Sequence, residues 1–205
     1  MNTTENEPLI PAHVIQNRLK HLPLVADSLT IDRILARIPK DILQTIEQAK
    51  EYEWLPVKLS TDINGYIAAE LGEEGVYNLS YQSFHKIIGS SIVSPLFRAA
   101  LNIFRIQPQT LLKIVPFFWK SLYRNCGEVS IIERGPSQVQ ILFTDLPPFL
   151  AGNREYLMGI AGAIHGLSSI IRVKATVILE NNSEETQKVS LILAWESNFS
   201  NLIKN

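Results

Sequence analysis

The period of the apolar residues changes once along this chain, at Cys126-Gly127, and that change limits the folds open to it. Ahead of it, apolar residues recur every three or four positions, the mark of amphipathic helices. Behind it they alternate. Val129, Ile131 and Ile132 open a strand, Gly135-Pro-Ser137 turns the chain, and Val139, Ile141 and Phe143 alternate with Gln138, Gln140 and Leu142. Pro147-Pro148 ends that strand, because proline cannot donate to a ladder. Asn153 is a candidate cap for a helix over 153–168. Ile171, Val173, Ala175, Val177 and Leu179 then alternate again, Asn181-Asn-Ser-Glu-Glu185 reads as a polar hairpin loop, and Val189, Leu191, Leu193 and Trp195 form the last strand. Residues 126–197 are therefore a β-β-α-β-β unit.

Residues 1–9 read as a flexible tail. Residues 10–205 read as one domain, helical over 10–125. Val14, Ile15, Leu19 and Leu22 mark a first helix. Thr30 is the expected cap of a second, which carries Ile31, Ile34, Leu35 and Ile38 and stops at Pro39. A third spans 40–52, and Trp54-Leu-Pro56 interrupts. A fourth spans 60–71 and ends at Gly72; a fifth spans 75–92. Helices at 95–106 and 108–125 follow, the second with a kink or a lost hydrogen bond expected at Pro116.

Apolar residues make up 46% of the chain and charged ones 19%, enough for a real core. Cys126 is the single cysteine, so no internal disulfide or multi-cysteine zinc site is available. The first residues carry acids where a signal peptide needs cations, and no membrane span is visible, so a cytoplasmic location is expected. The net charge of −1 hides an asymmetry: residues 75–127 hold no acid and six cations, Lys86, Arg98, Arg105, Lys113, Lys120 and Arg124. Phe97, Phe104, Phe117, Phe118, Trp119 and Tyr123 stand among them. Such a stretch reads as core helices with a basic outer stripe, as the basic mouth of an acyl or lipid cavity, as a peripheral membrane face, or as a surface for an acidic protein. Arg105, Lys113, Lys120 and Arg124 form the expected basic face. Nucleic acid is not an expected partner, since the remainder is acidic and no recognition motif occurs.

No phosphate loop, H-E-x-x-H or G-x-S-x-G occurs, and the four histidines form no metal-ligand spacing. Gly159, Gly162 and Gly166 make one bare helix face. It fits close helix–sheet packing, a dimer contact or a pocket wall. His165 reads as a partly exposed structural histidine or as one that meets a ligand. Tyr77, Tyr81 and His85 recur every four residues and read as a core edge or as the polar lining of an apolar cavity. Cys126 reads as a buried, inert thiol.

The helix running into Ile38-Pro39, then Trp54-Leu-Pro56, Leu71-Gly72, the segment ending Leu122-Tyr-Arg-Asn-Cys-Gly127 and the strand pair closing on Leu193-Ala-Trp195 together resemble a family of roughly 200-residue proteins expanded in myxobacteria. That family is similar to the ligand-binding fold of 4-vinyl-reductase domains, TRAPP vesicle-tethering subunits and haem NO/O2-binding domains. The resemblance implies N-terminal helices packed on an antiparallel sheet, with an apolar cavity between them used for haem, small hydrophobic molecules or an acyl chain. Two departures matter. The 4-vinyl-reductase relatives carry cysteines near the last helix and strand, and none follows Cys126 here. The haem sensors carry a proximal histidine on the helix ahead of the sheet, and 108–125 holds none.

The expectation is thus an α+β fold: helices over a four- or five-stranded, mostly antiparallel sheet, with one helix between strand pairs. The expected function is a non-catalytic module, without a cofactor, that binds a hydrophobic small molecule or acyl chain as sensor or carrier. Tyr81, His85, Phe104, Phe118, Ile141, Ile160 and Ile164 are the expected pocket lining. The alternative is a protein-interaction adaptor or homodimer without a ligand, using the 108–123 helix or a strand edge.

Overall fold

The N-terminal strand is paired with segments far along the chain. In the computed structural model, which describes residues 6–89, 108–169, 174–183 and 185–196 (the backbone alone at 85–89, 108, 169 and 181–183), β1 (Leu9–Pro11) lies antiparallel to β2 (Trp54–Pro56) with Ile10 opposite Leu55. Leu9 also exchanges both backbone hydrogen bonds with Arg124, at 2.9 and 3.0 Å. Leu9 is therefore a buried strand residue and not part of a free tail, and Trp54-Leu-Pro56 is a strand and not an interruption.

From this clamp α1 (Ala12–Lys20) and α4 (Val57–Gly89) start directly. Between them lie α2 (Ser28–Arg37) and α3 (Lys40–Gln48). The cap of α2 is Asp27, whose Oδ1 accepts from the Thr30 backbone N–H at 2.8 Å; Thr30 is the capped residue and not the cap. Arg33 and Arg37 of α2 both reach Glu70 of α4, at 2.8 and 2.7 Å, and hold its carboxyl below the usual range.

α4 is two helices in one. Gly72 has φ 69° and ψ 178°, a backbone state that is essentially glycine's alone. The bend there is sharp. Asn64 and Ser80 both approach Gly159, within 3.2 and 3.4 Å of where its β-carbon would stand. A straight helix would hold residues sixteen apart about 24 Å from one another, so the two arms fold back toward each other around Gly72. The sequence's separation of two helices at Leu71-Gly72 has this physical cause.

The segment ahead of the sheet is broken. α5 (Pro108–Leu112) stops, and α6 (Val115–Leu122) restarts with Pro116 in its first turn, where its missing N–H costs nothing. Trp119 fixes α6 to the core. Its ring stacks on Tyr123 at 4.0 Å and meets Phe143 edge-on at 5.0 Å, while Nε1 donates to Gly127 O.

The sheet follows the alternating half of the sequence: β3 (Glu128–Gly135), β4 (Gln138–Thr144), β5 (Ala175–Ser183) and β6 (Lys188–Trp195), in the order β3-β4-β6-β5, all antiparallel. The short α7 (Pro148–Ala151) and the long α8 (Arg154–Ser169) connect β4 to β5. The fold is α+β, as expected, with four strands in the main sheet. Asn153 caps α8, accepting from Tyr156 N at 2.7 Å. Asn181, Asn182 and Ser183 do not form a loop; past an irregularity after Leu179 they pair with Ser190, Val189 and Lys188. The core joins Val139, Ile141 and Phe143 of β4 and Leu191 and Leu193 of β6 to Ile63, Ile67 and Leu79 of α4 and Leu157 and Ile164 of α8.

Candidate functional site

The glycine face of α8 is covered within the chain, by a helix and not by the sheet. A β-carbon at Gly162 would stand 2.1 Å from Tyr77 O, and one at Gly166 would stand 2.8 Å from Phe84 Cβ. The second arm of α4 therefore lies almost backbone to backbone on α8. This closeness brings Tyr77 and Tyr81 onto His165. Tyr77 Oη and His165 Nδ1 are 2.7 Å apart, and the Tyr81 and His165 ring centroids 4.7 Å. Burial pushes the Tyr77 phenol up to about 12.

Of the expected pocket lining, Ile141 and Ile164 are in the core, Ile160 is half-buried against it, and Tyr81 packs on His165. Phe118 is on the outer side of α6, 40% exposed beside Phe117. The restart of the helix at Val115 sets its phase, turning Val115 and Trp119 inward and this pair outward. His85 lies on α4 with its side chain outside the description, and Phe104 and Arg105 lie outside the described residues. An open groove of about 480 Å³ runs beside the Gly72 bend, between Leu24, Val25, Leu71, Glu74 and Asn78; among the described residues, Tyr81, Phe118, Ile141, Ile160 and Ile164 do not border it.

The basic face is not one stripe. The break before Val115 and the extended backbone beyond Leu122 separate its members. Lys113 meets Glu133 at 3.3 Å, Lys120 meets Glu128 at 3.7 Å, and Arg124 lies over the Trp54 ring, 3.8 Å from its centroid. The acids that the basic segment lacks in sequence come from β3 in space. Cys126 is buried, its Sγ 3.2 Å from Arg124 O, and burial pushes the thiol up to about 12, far from nucleophilic thiolate.

A different cluster fills the interior between α1, α4 and α8. Arg18 of α1 donates to Ser60 Oγ at 3.1 Å and to Asn64 Oδ1 at 2.6 Å, both on the first arm of α4. Among the described residues no carboxylate pairs with this guanidinium, and burial lowers its pKa. The phenols of Tyr123 and Tyr156 stand near enough to act on it. Asn64 is 0%, Tyr156 2% and Ser80 7% exposed, yet Asn64 Nδ2, Tyr156 Oη and Ser80 Oγ have no hydrogen-bond partner. Tyr156 faces Tyr123 closely enough for the phenols to affect each other, but without the geometry of a hydrogen bond. Each such orphan costs about 1–3 kcal/mol. The sequence reading missed this cluster. Its signal was phase: Arg18 is three residues from Ile15 and four from Leu22, and Ser60 and Asn64 keep step with Ile63 and Ile67.

No protein-family model matches the chain, and no curated protein matches it. Solved structures do. An Fe(II) unliganded H-NOX protein from K. algicida matches with a TM-score of 0.63 and 11% identity, over 93% of this chain and 98% of that one. The H-NOX protein from S. oneidensis in the Fe(II)NO ligation state matches with 0.58 and 12%, over 92% and 100%. A single-residue variant of the T. Tengcongensis H-NOX matches with 0.61 and 9%, over 92% and 98%. The chain therefore has the fold of H-NOX domains, one of the three the resemblance implied; at this identity the likeness is one of fold.

Haem does not fit the stretch ahead of the sheet. The inward residues of α5 and α6 are Leu111, Leu112, Val115 and Trp119, which offer iron no donor. His13 Nδ1 is engaged by Glu51 O at 3.0 Å and His165 Nδ1 by Tyr77. Among the described residues no group of three or more His, Cys, Asp or Glu is placed to hold a metal, and no helix is long and apolar enough to cross a membrane.

Proposed function

We propose that this chain is a non-catalytic module that binds a small, largely apolar molecule as sensor or carrier. The observation that carries this reading is the interior cluster: a partly buried guanidinium without a carboxylate partner among the described residues and three orphaned polar atoms inside an otherwise apolar core. A fold that only had to be stable gains nothing from these groups; apolar residues of equal volume would serve it better. The H-NOX fold is in keeping with it, one of its members having been solved in a ligated state. The absence of a nucleophile with an activated partner among the described residues favours binding over catalysis. Native and denaturing mass spectrometry of the purified protein tests the reading. A co-purifying mass that leaves on denaturation supports it; identical native and denatured masses count against it.

A homodimer is the second reading, favoured by Phe117, 70% exposed, beside Phe118 on α6. Sedimentation at micromolar concentration should then give twice the 23.1 kDa chain mass, reduced to one by Phe117→Ser.

A further inference from the structure

The polar groups of the interior cluster share one capacity: each can donate a hydrogen bond. Arg18 is an obligate donor, Asn64 presents Nδ2 because its Oδ1 is taken by Arg18, and the Ser80 and Tyr156 hydroxyls have hydrogens free to give. All of them can therefore give a hydrogen bond to one shared acceptor. Asn64 Nδ2 and Ser80 Oγ converge on the bare side of Gly159 and are at most about 6.6 Å apart, close enough for one two-oxygen acceptor to reach both with ordinary hydrogen bonds. The cluster carries a single full positive charge, and one negative charge balances it; a dianion would leave a buried charge unmatched. The neighbours Val76, Leu79 and Leu157 are fully apolar and buried.

We propose that Arg18, Asn64, Ser80 and Tyr156 form a buried site for the carboxylate of a mostly apolar monoacid. This rests on the ligand-binding reading and narrows it to a ligand class. The carboxylate accepts from the guanidinium and from the amide and hydroxyls that now lack partners, while its apolar body lies in the surrounding core. Such charge-assisted bonds are about twice as strong as neutral ones, so the head group sets selectivity.

The test uses the full chain, freed of co-purified lipid, and two fluorescent probes: cis-parinaric acid and its methyl ester. The wild-type protein is expected to prefer the acid by about tenfold or more, as for one charge-assisted contact. In Arg18→Met that preference should fall to about one, because the charge-assisted contact is gone. In Tyr156→Phe the acid should weaken several-fold and the ester should not change. Equal binding of acid and ester to the wild type overturns the carboxylate site and leaves the ligand-binding reading standing. An unchanged preference in Arg18→Met, with a melting temperature lowered by several degrees, makes Arg18 a structural tie between α1 and α4 and overturns the site as well. If Arg18→Met does not fold, an unchanged acid preference in Tyr156→Phe overturns it. Binding of neither probe, together with no co-purifying mass, removes both the site and the reading beneath it.

Discussion

Replacing Gly162 by alanine tests how closely α8 is seated on α4. Two effects oppose each other. Alanine in a helix interior is favoured over glycine by about 1 kcal/mol. The added carbon, however, would stand 2.1 Å from Tyr77 O, 2.9 Å from Tyr77 C and 3.1 Å from its Cα. All three are backbone atoms and cannot swing aside. Restoring ordinary contact at about 3.4 Å moves α8 away by roughly 1.3 Å, and a radial gap of 0.5–1 Å already forfeits about a quarter to a half of a dispersion contact. The shift is felt along the interface from Val76 to Phe84, where overpacking costs about 3 kcal/mol at the upper end of its range. The net loss is about 2 kcal/mol, or roughly 4–8 °C in melting temperature for a domain of this size. Urea denaturation followed by circular dichroism measures it. Gly65→Ala is the control, since its added carbon meets nothing within 4 Å; it should gain up to about 1 kcal/mol. Gly159→Ala meets only side chains, the nearest Asn64 Nδ2 at 3.2 Å, and should fall between the two. A Gly162→Ala protein as stable as Gly65→Ala would refute the backbone-to-backbone contact.

Three further outcomes are expected. Gly72→Ala should cost about 1–3 kcal/mol with nothing in its way sterically, because φ 69° with ψ 178° admits no side chain comfortably; a melting curve unchanged from wild type would place the bend elsewhere. Stability should decline as pH rises above 9: unfolded cysteine and tyrosine release protons near 9.0 and 10.0, whereas folded Cys126 and Tyr77 hold theirs to about 12, so the unfolded state binds fewer protons across that window. Cys126→Ala should move the onset of that decline from near 9 to near 10, and urea midpoints that are flat to pH 11 would contradict the burial of both groups. Asn153→Ala should remove the cap on Tyr156 N and cost about 1 kcal/mol, read as a lower urea midpoint with unchanged slope.

The alternating half of the sequence is the legible half, because a period of two sustained over four segments is the mark of strands with one face buried. Several of the misreadings turn on partners that another element supplies. Trp54-Leu-Pro56 looks like a break because its proline stops a helix, and only the pairing of Leu55 with Ile10 makes it a strand. Asn181–Ser183 looks like a loop by composition, but β6 supplies the ladder. The basic character of 108–124 is real as a local fact, yet Glu128 and Glu133 answer two of its cations from the next element. The interior cluster is hidden for the same reason. Arg18, Asn64, Ser80 and Tyr156 come from both arms of α4 and from two other helices, and no local spacing unites them.

The bonds between Leu9 and Arg124 also bear on the order in which the chain can fold. Leu9 leaves a ribosome long before Arg124 is made, and strand β2 follows it only after some forty further residues. The clamp therefore closes a loop of more than a hundred residues, and the entropy of that closure must be met before the bonds return anything. Helices α1 to α3 can form early and β2 can pair with β1 soon after, but the side of Leu9 that meets Arg124 stays unpaired until the segment leading into the sheet has emerged. During synthesis that open strand end is the part of the molecule most in need of shelter.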